Sequence, residues 1–133
     1  MGEEKFFGYP SKKEQEAAVQ RVCKFLDEKD GARLRDQIEY LEKLKHLTLE
    51  MKRKVLQQFS PQSIGQAFKL AHRDLVTAFL QDLSSTLKAE ILHSLQEKIS
   101  IGKMMKVQED LIDYCRKQEA KGRFILNSND KLV

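Results

Sequence analysis

The chain has 133 residues, 41% of them hydrophobic and 33% charged, with 6 Gly, 2 Pro, no Trp and a net charge of +4. That length suits one domain, the basic excess is small and interspersed with acids as on solvated helix faces, and no apolar run approaches the length of a bilayer span. Leu, Lys, Glu and Gln dominate and β-branched runs are few, which predicts an all-α domain rather than a sheet.

Residues 1–10 read as an arm. Phe6, Phe7 and Tyr9 are apolar but precede Pro10, so they are not helical. They are expected to act as a staple or lid on the first helix, with a docking peptide for another subunit as the second reading. The arm is charged, short and without an apolar h-region, so no signal peptide is expected and the compartment is expected to be cytoplasmic.

Ser11-Lys12-Lys13-Glu14 has the form of a capping box and opens a helix through about Glu28, with Ala18, Val22, Phe25 and Leu26 as its stripe and Asp30-Gly31 as its stop. Leu34, Ile38, Leu41 and Leu44 form the stripe of a second helix. Thr48 caps a short third one carrying Met51, Val55 and Leu56. Ser60-Pro61 is an N-cap followed by Pro at the first helical position, where its missing N–H costs nothing. That helix carries Ile64, Ala67, Phe68 and Ala71.

A break near His72-Arg73 starts a helix at about Asp74, with Leu75, Val76, Phe79 and Leu80. Ser84-Ser85-Thr86 caps a longer helix with Leu87, Ile91, Leu92 and Leu95. Ser100 to Gly102 interrupts the pattern. A final helix from about Lys103 to Ala120 turns Val107, Leu111, Ile112 and Cys115 inward, and Gly122 fits its C-terminal stop. Phe124-Ile125-Leu126 is a short apolar tail able to pair as a strand or pack as a plug. Residues 127–133 are polar and read as a flexible tail. Short helices joined by two to four residues favour antiparallel neighbours, and an armadillo-like, right-handed superhelical stack satisfies the spacing.

The residues offer little chemistry. Cys23 and Cys115 lie far apart in apolar contexts and read as small buried hydrophobes rather than a disulfide. His93 has only Glu90 and Glu97 on its helix face, too few N or S ligands for zinc. Glu109, Asp110 and Asp113 read as solvent-facing acids opposite Lys106 and Lys117. Met104-Met105 with Ile101 reads as core or groove lining. No phosphate loop or nucleophile elbow occurs. The densest basic run, Lys43, Lys45, Lys52, Arg53 and Lys54, supports the alternative of a basic helical nucleic-acid-binding protein.

The stretch Phe59-Ser60-Pro61-Gln62 with Ile64, followed in order by Leu83-Ser84-Ser85-Thr86-Leu87 and Ala89-Glu90-Ile91-Leu92, resembles the armadillo-type repeat of FliG, the flagellar rotor switch protein. The ending, from Val107-Gln108-Glu109 through Arg116-Lys117-Gln118-Glu119 to Gly122-Arg123-Phe124-Ile125-Leu126, resembles the helix and apolar tail that close a FliG C-terminal repeat. The resemblance covers the second half of the chain; the first half has only helical character. It implies a surface that docks the switch protein FliM, with Pro61 and Gln62 in that surface by carry-over from the middle-domain motif. Where that motif has Glu-His, this chain has Phe59-Ser60. Lys69 matches the lysine that begins the ordered charges of the torque helix. The acidic pair of that set falls at His93-Ser94, where no acid stands, and Lys103 reaches the family's arginine only across an insertion and a deletion.

These readings converge on a helical domain over residues 11–126, divided into N-terminal helices (11–58) and a FliG-like repeat (59–126). The expected role is a protein-interaction adapter with no catalysis, cofactor or small-molecule substrate. A FliM-type partner is expected to dock on a face containing Phe59, Pro61, Gln62, Ile64 and Lys69. Self-association or helix swapping is a third possibility, and membrane contact is expected only through an assembly at its cytoplasmic face.

Overall fold

A computed structural model of the chain describes residues 6–126. Seven α-helices follow one another: α1 (Lys12–Cys23), α2 (Glu28–Glu42), α3 (Leu49–Gln58), α4 (Pro61–Ala67), α5 (Arg73–Leu80), α6 (Ser85–Gln96) and α7 (Ile101–Ala120), with a 3-10 turn at Lys43–His46 after α2. Each opens on a side-chain cap that satisfies an otherwise orphaned N–H. Ser11, Asp27, Thr48, Ser60, Ser84 and Ser100 accept from the third residue on, and His72 Nδ1 accepts from Asp74 N–H. Among the described residues there is no strand, only an isolated parallel bridge between Tyr9 and His72.

Three boundaries differ from the expectation. α4 stops at Ala67, with Phe68 as its C-cap and Ala71 beyond it. α1 ends at Cys23, not near Glu28. Asp27 caps a new helix by accepting from Asp30 N–H at 2.8 Å, so Asp30-Gly31 is the first turn of α2 rather than a stop. The turn between them turns Phe25 outward, 78% exposed, and removes it from the inward stripe. The last helix starts two residues early, because Ser100 accepts from Lys103 N–H at 3.2 Å and takes Gly102 into the first turn.

α4 is the hub. This seven-residue helix lies against α6 and α7, with Ile64, Gly65 and Ala67 buried. The crossing is close enough that a Cβ built on Gly65 would lie 2.6 Å from the Ile91 carbonyl oxygen and 2.6 Å from Ser94 Cβ. Polar groups tie the same joint: Ser94 Oγ donates to the Gln62 carbonyl at 2.6 Å, and the buried Gln108 Nε2 donates to the Ala67 carbonyl at 3.1 Å. Around this joint Leu44, Val55, Ile64, Phe68, Leu75, Val76, Phe79, Ile91, Leu111, Cys115 and Leu126 form the main core. Phe124 and Leu126 close it as a plug while Ile125 points out at 63% exposure.

A second cluster joins Ala18 and Val19 of α1 to Leu34, Leu70, Met104 and Met105. The arm does not merely lid α1. It runs across the start of α5, where Tyr9 N–H donates to the Ala71 carbonyl at 3.1 Å and Arg73 N–H donates to the Tyr9 carbonyl at 2.8 Å. Gly8 makes this possible: its φ is +99°, and the backbone of Ala71 and Arg73 lies 3.0 Å from where a Cβ would be, a conformation and clearance suited to glycine. The arm is thus held within its own chain. Residues 127–133, read from sequence as a flexible tail, lie outside the described residues.

Candidate partner-docking surface

The residues expected to form a docking face fall into three environments. Phe59, Pro61 and Gln62 share the N-terminal edge of α4. Phe59 and Pro61 are half-buried and Gln62 is exposed. The edge has a rigid backing, since Phe59 packs edge-on against Tyr114 of α7 with centroids 5.7 Å apart, and Tyr114 packs against Phe124 at 6.0 Å. Burial raises the Tyr114 hydroxyl above its ordinary value, and its Oη lies at the limit of hydrogen-bond distance, 3.4 Å, from the Lys54 carbonyl.

Ile64 is a correction. It belongs to the inward stripe and is 0% exposed, so it has no surface to offer. One turn separates it from Pro61, but the helix needs its apolar face for α6 and α7. Lys69 is half-buried and committed: its Nζ donates to the Leu95 carbonyl at 2.9 Å and to the Glu97 carbonyl, closing the C-terminus of α6. Burial lowers its pKa and Glu97 opposes that shift. The geometry therefore keeps Phe59, Pro61 and Gln62 on one edge, places Ile64 in the core and ties Lys69 to the C-terminus of α6.

Lys52 has the same arrangement at the end of α5. It is 4% exposed, and its Nζ donates to the Ala78 carbonyl at 2.6 Å and the Gln81 carbonyl at 3.0 Å. Burial lowers its pKa, with Asp82 acting the other way. Cations at helix C-termini meet both the orphan carbonyls and the negative end of the dipole. This removes Lys52 from the basic run, and Lys43 of the same run lies over the Tyr40 ring, 5.2 Å from its centroid. Arg116 stacks on that ring at 4.9 Å, and Tyr40 Oη donates to Glu119; burial first, then this acid, raise the phenol's pKa. The run is thus split between clamps and exposed positions.

Some of the remaining charges form exposed pairs. Lys106 lies 3.0 Å from Asp110 and 3.7 Å from Glu109, and His93 lies 3.7 Å from Glu97. Among the described residues no three metal-ligating groups come together, and no helix is long and apolar enough to cross a membrane.

One surface feature was not anticipated from sequence. An open groove of about 740 Å³ runs between α5 and α6. Asp74, Thr77, Ala78 and Gln81 line one wall and Ser85, Lys88, Ala89 and Leu92 the other, with Phe7 and Leu80 between. Each wall is an i, i+3, i+4, i+7 set. Only the outward placement of two alanines, Ala78 and Ala89, at matching points of that pattern signals it in the sequence.

No curated protein and no solved structure matches the chain. The FliG C-terminal domain family does match, over residues 23–126. That span takes in α2 and α3 as well as the second half, so the likeness reaches further back than the motifs quoted from sequence, and only the arm and α1 precede it. The chain belongs to the FliG C-terminal domain family.

Proposed function

We propose that this chain is a non-catalytic docking module of a flagellar rotor switch, working at the cytoplasmic face of a membrane-bound assembly and engaging a FliM-type switch protein. The observation that carries this reading is the family match across residues 23–126. The contact is assigned to the α4 edge: Phe59 and Pro61 supply a small apolar patch and Gln62 a free amide at its rim, the usual composition of a docking site. Ile64 holds α4 from beneath, and Lys69 holds α6 beside it. Residues 11–126 act as one unit in this reading, with residues 1–10 as an accessory arm and 127–133 as a tail. The nucleic-acid alternative is weakened by the burial of Lys52.

The test is a calorimetric titration of the full chain against the FliM-type switch protein of the same genome. Saturable binding is expected, weakened by at least roughly tenfold, about 1.4 kcal/mol, in the Pro61→Asp/Gln62→Lys double variant. Asp suits the first turn of a helix, and Lys there opposes the dipole by only about 0.3–1 kcal/mol at an exposed site, so the far-ultraviolet circular dichroism should not change. Absence of binding by the unmodified chain, or equal binding by the double variant, would remove this edge from the switch.

A further inference from the structure

Two surface features of this chain fit each other. Phe25 is the most exposed large hydrophobic among the described residues, at 78%. Its turn is stiff: Lys24 N–H donates to Gln20 at 3.2 Å, Phe25 N–H to Val22 at 3.0 Å and Leu26 N–H to Cys23 at 3.1 Å, all to carbonyls. The ring is therefore presented on a preorganised knob, which lowers the entropy lost on contact. An exposed cation, Lys24, precedes it and two exposed acids, Asp27 and Glu28, follow.

The groove between α5 and α6 is the reciprocal of that knob. Its midpoint is left open by Ala78 and Ala89, and Phe7, Leu80 and Leu92 make it apolar. An acid, Asp74, stands on one wall with its side chain 73% exposed. A cation, Lys88, stands on the other and is exposed. His72 Nδ1 accepts the Asp74 N–H at 3.0 Å and lies 3.5 Å from one Asp74 carboxylate oxygen, so the exposed carboxylate is held at the rim from within its own chain. Phe7 comes from the arm, which precedes the residues matched by the family.

We propose that the α5–α6 groove receives Phe25 of a second copy of this chain, with Lys24 directed to Asp74 and the Asp27-Glu28 pair to Lys88. The ring is preceded in sequence by a cation and followed by acids, the slot carries an acid on one wall and a cation on the other, and opposite charges at such a rim set register and suppress wrong partners. The contact is separate from the α4 edge and does not rest on that docking role. One ring and two rim ion pairs make a small interface, so the association belongs to the weak, concentration-dependent class. Knob and slot are different surfaces, so each copy retains one unused half after a single contact.

Sedimentation velocity of the full chain, from low micromolar to millimolar concentration, tests this. The sedimentation coefficient should rise with concentration. Phe25→Ser, which removes the knob, and Ala89→Arg, which fills the slot, should each stay monomeric with an unchanged circular dichroism spectrum. Thr77→Arg blocks the slot from the opposite wall if Ala89→Arg disturbs α6. An equimolar mixture of Phe25→Ser and Ala89→Arg should regain a complex no larger than a dimer, because one partner keeps the slot and the other the knob. A chain that stays monomeric throughout, an association that survives Phe25→Ser or both slot variants, or a mixture that fails to recover it would each overturn the proposal.

Discussion

At the scale of single residues, the lysines carry the least expected roles. Lys69 reads from sequence as a charge offered to a partner, because nothing near it in the chain could hold its ammonium. The carbonyls that do hold it belong to Leu95 and Glu97, 26 and 28 positions away. Lys52 likewise reads as one member of a basic run and is fixed by carbonyls 26 and 29 positions away. Charge type and local spacing carry no trace of such pairings; only the packed arrangement of helices creates them. If Lys69 is a helix clamp, Lys69→Met keeps the aliphatic stem in place and removes only the donors. The loss should be about 1–2 kcal/mol, from hydrogen bonds made by a charged group and the dipole contact together. Urea denaturation checks this against Lys88→Met, an exposed lysine expected to change stability by less than about 0.5 kcal/mol. Equal, small effects at both positions would return Lys69 to the role of a free surface charge.

At the scale of the element, the helix starts at Ser11, Thr48, Ser60 and Ser84 are legible in the sequence, and those at Asp27 and Ser100 are not. Ser11, Thr48, Ser60 and Ser84 announce their helices because a cap acts within three residues of itself. The α1–α2 joint escapes a sequence reading because Asp30-Gly31 has the form of a stop, whereas Asp27 caps a new helix there and a Cβ on Gly31 would make only an ordinary contact, 3.6 Å from Cys23 Sγ. Candidate-site residues suffered the same limit. Pro61 and Gln62 were correctly placed on a helix start, but which side of that short helix meets α6 and α7 depends on neighbours distant in sequence, and Ile64 went to the core. Gly65 marks this crossing. In an open helix, Gly→Ala stabilises by about 0.5–1 kcal/mol. At position 65 the added methyl would meet the Ile91 carbonyl at 2.6 Å and the Leu95 nitrogen at 2.9 Å, backbone atoms that cannot swing aside. Gly65→Ala should therefore destabilise by about 1–3 kcal/mol, whereas Gly102→Ala, with nothing within 4 Å, should be neutral or stabilising. A gain at both positions, measured by thermal unfolding, would mean that α4 and α6 do not cross this closely.

At the scale of the whole molecule, the question is whether the short helices open singly or as one body. Five of them have 12 residues or fewer and are marginal alone, and α4 has only seven, so its existence depends on the elements that surround it. Gln108 from α7, Ser94 from α6 and the Phe59–Tyr114–Phe124 contacts all converge on that helix and its entry. α4 packs on both α6 and α7, so the loss of either uncovers part of its buried face, which couples α3, α6, α7 and the tail plug into a common unfolding unit. Cys115 is a natural reporter of that unit. It is 0% exposed in the main core, and burial, with Glu119 adding to it, pushes its thiol up to about 12. At pH 8 it is both shielded and protonated, while only the thiolate attacks a disulfide reagent. Cys23, half-buried at the end of α1, lies outside this core. Titration with a chromogenic disulfide at pH 8 should accordingly label one thiol per chain under native conditions and two in denaturant. Cys23→Ser should reduce the native value to zero. As urea is added, Cys115 labelling should follow the global transition seen by circular dichroism, because the rate then tracks the population of the open state. Prompt labelling of Cys115 in the absence of denaturant would show that α7 leaves the stack independently, and the helices would then be separate units rather than one cooperative core.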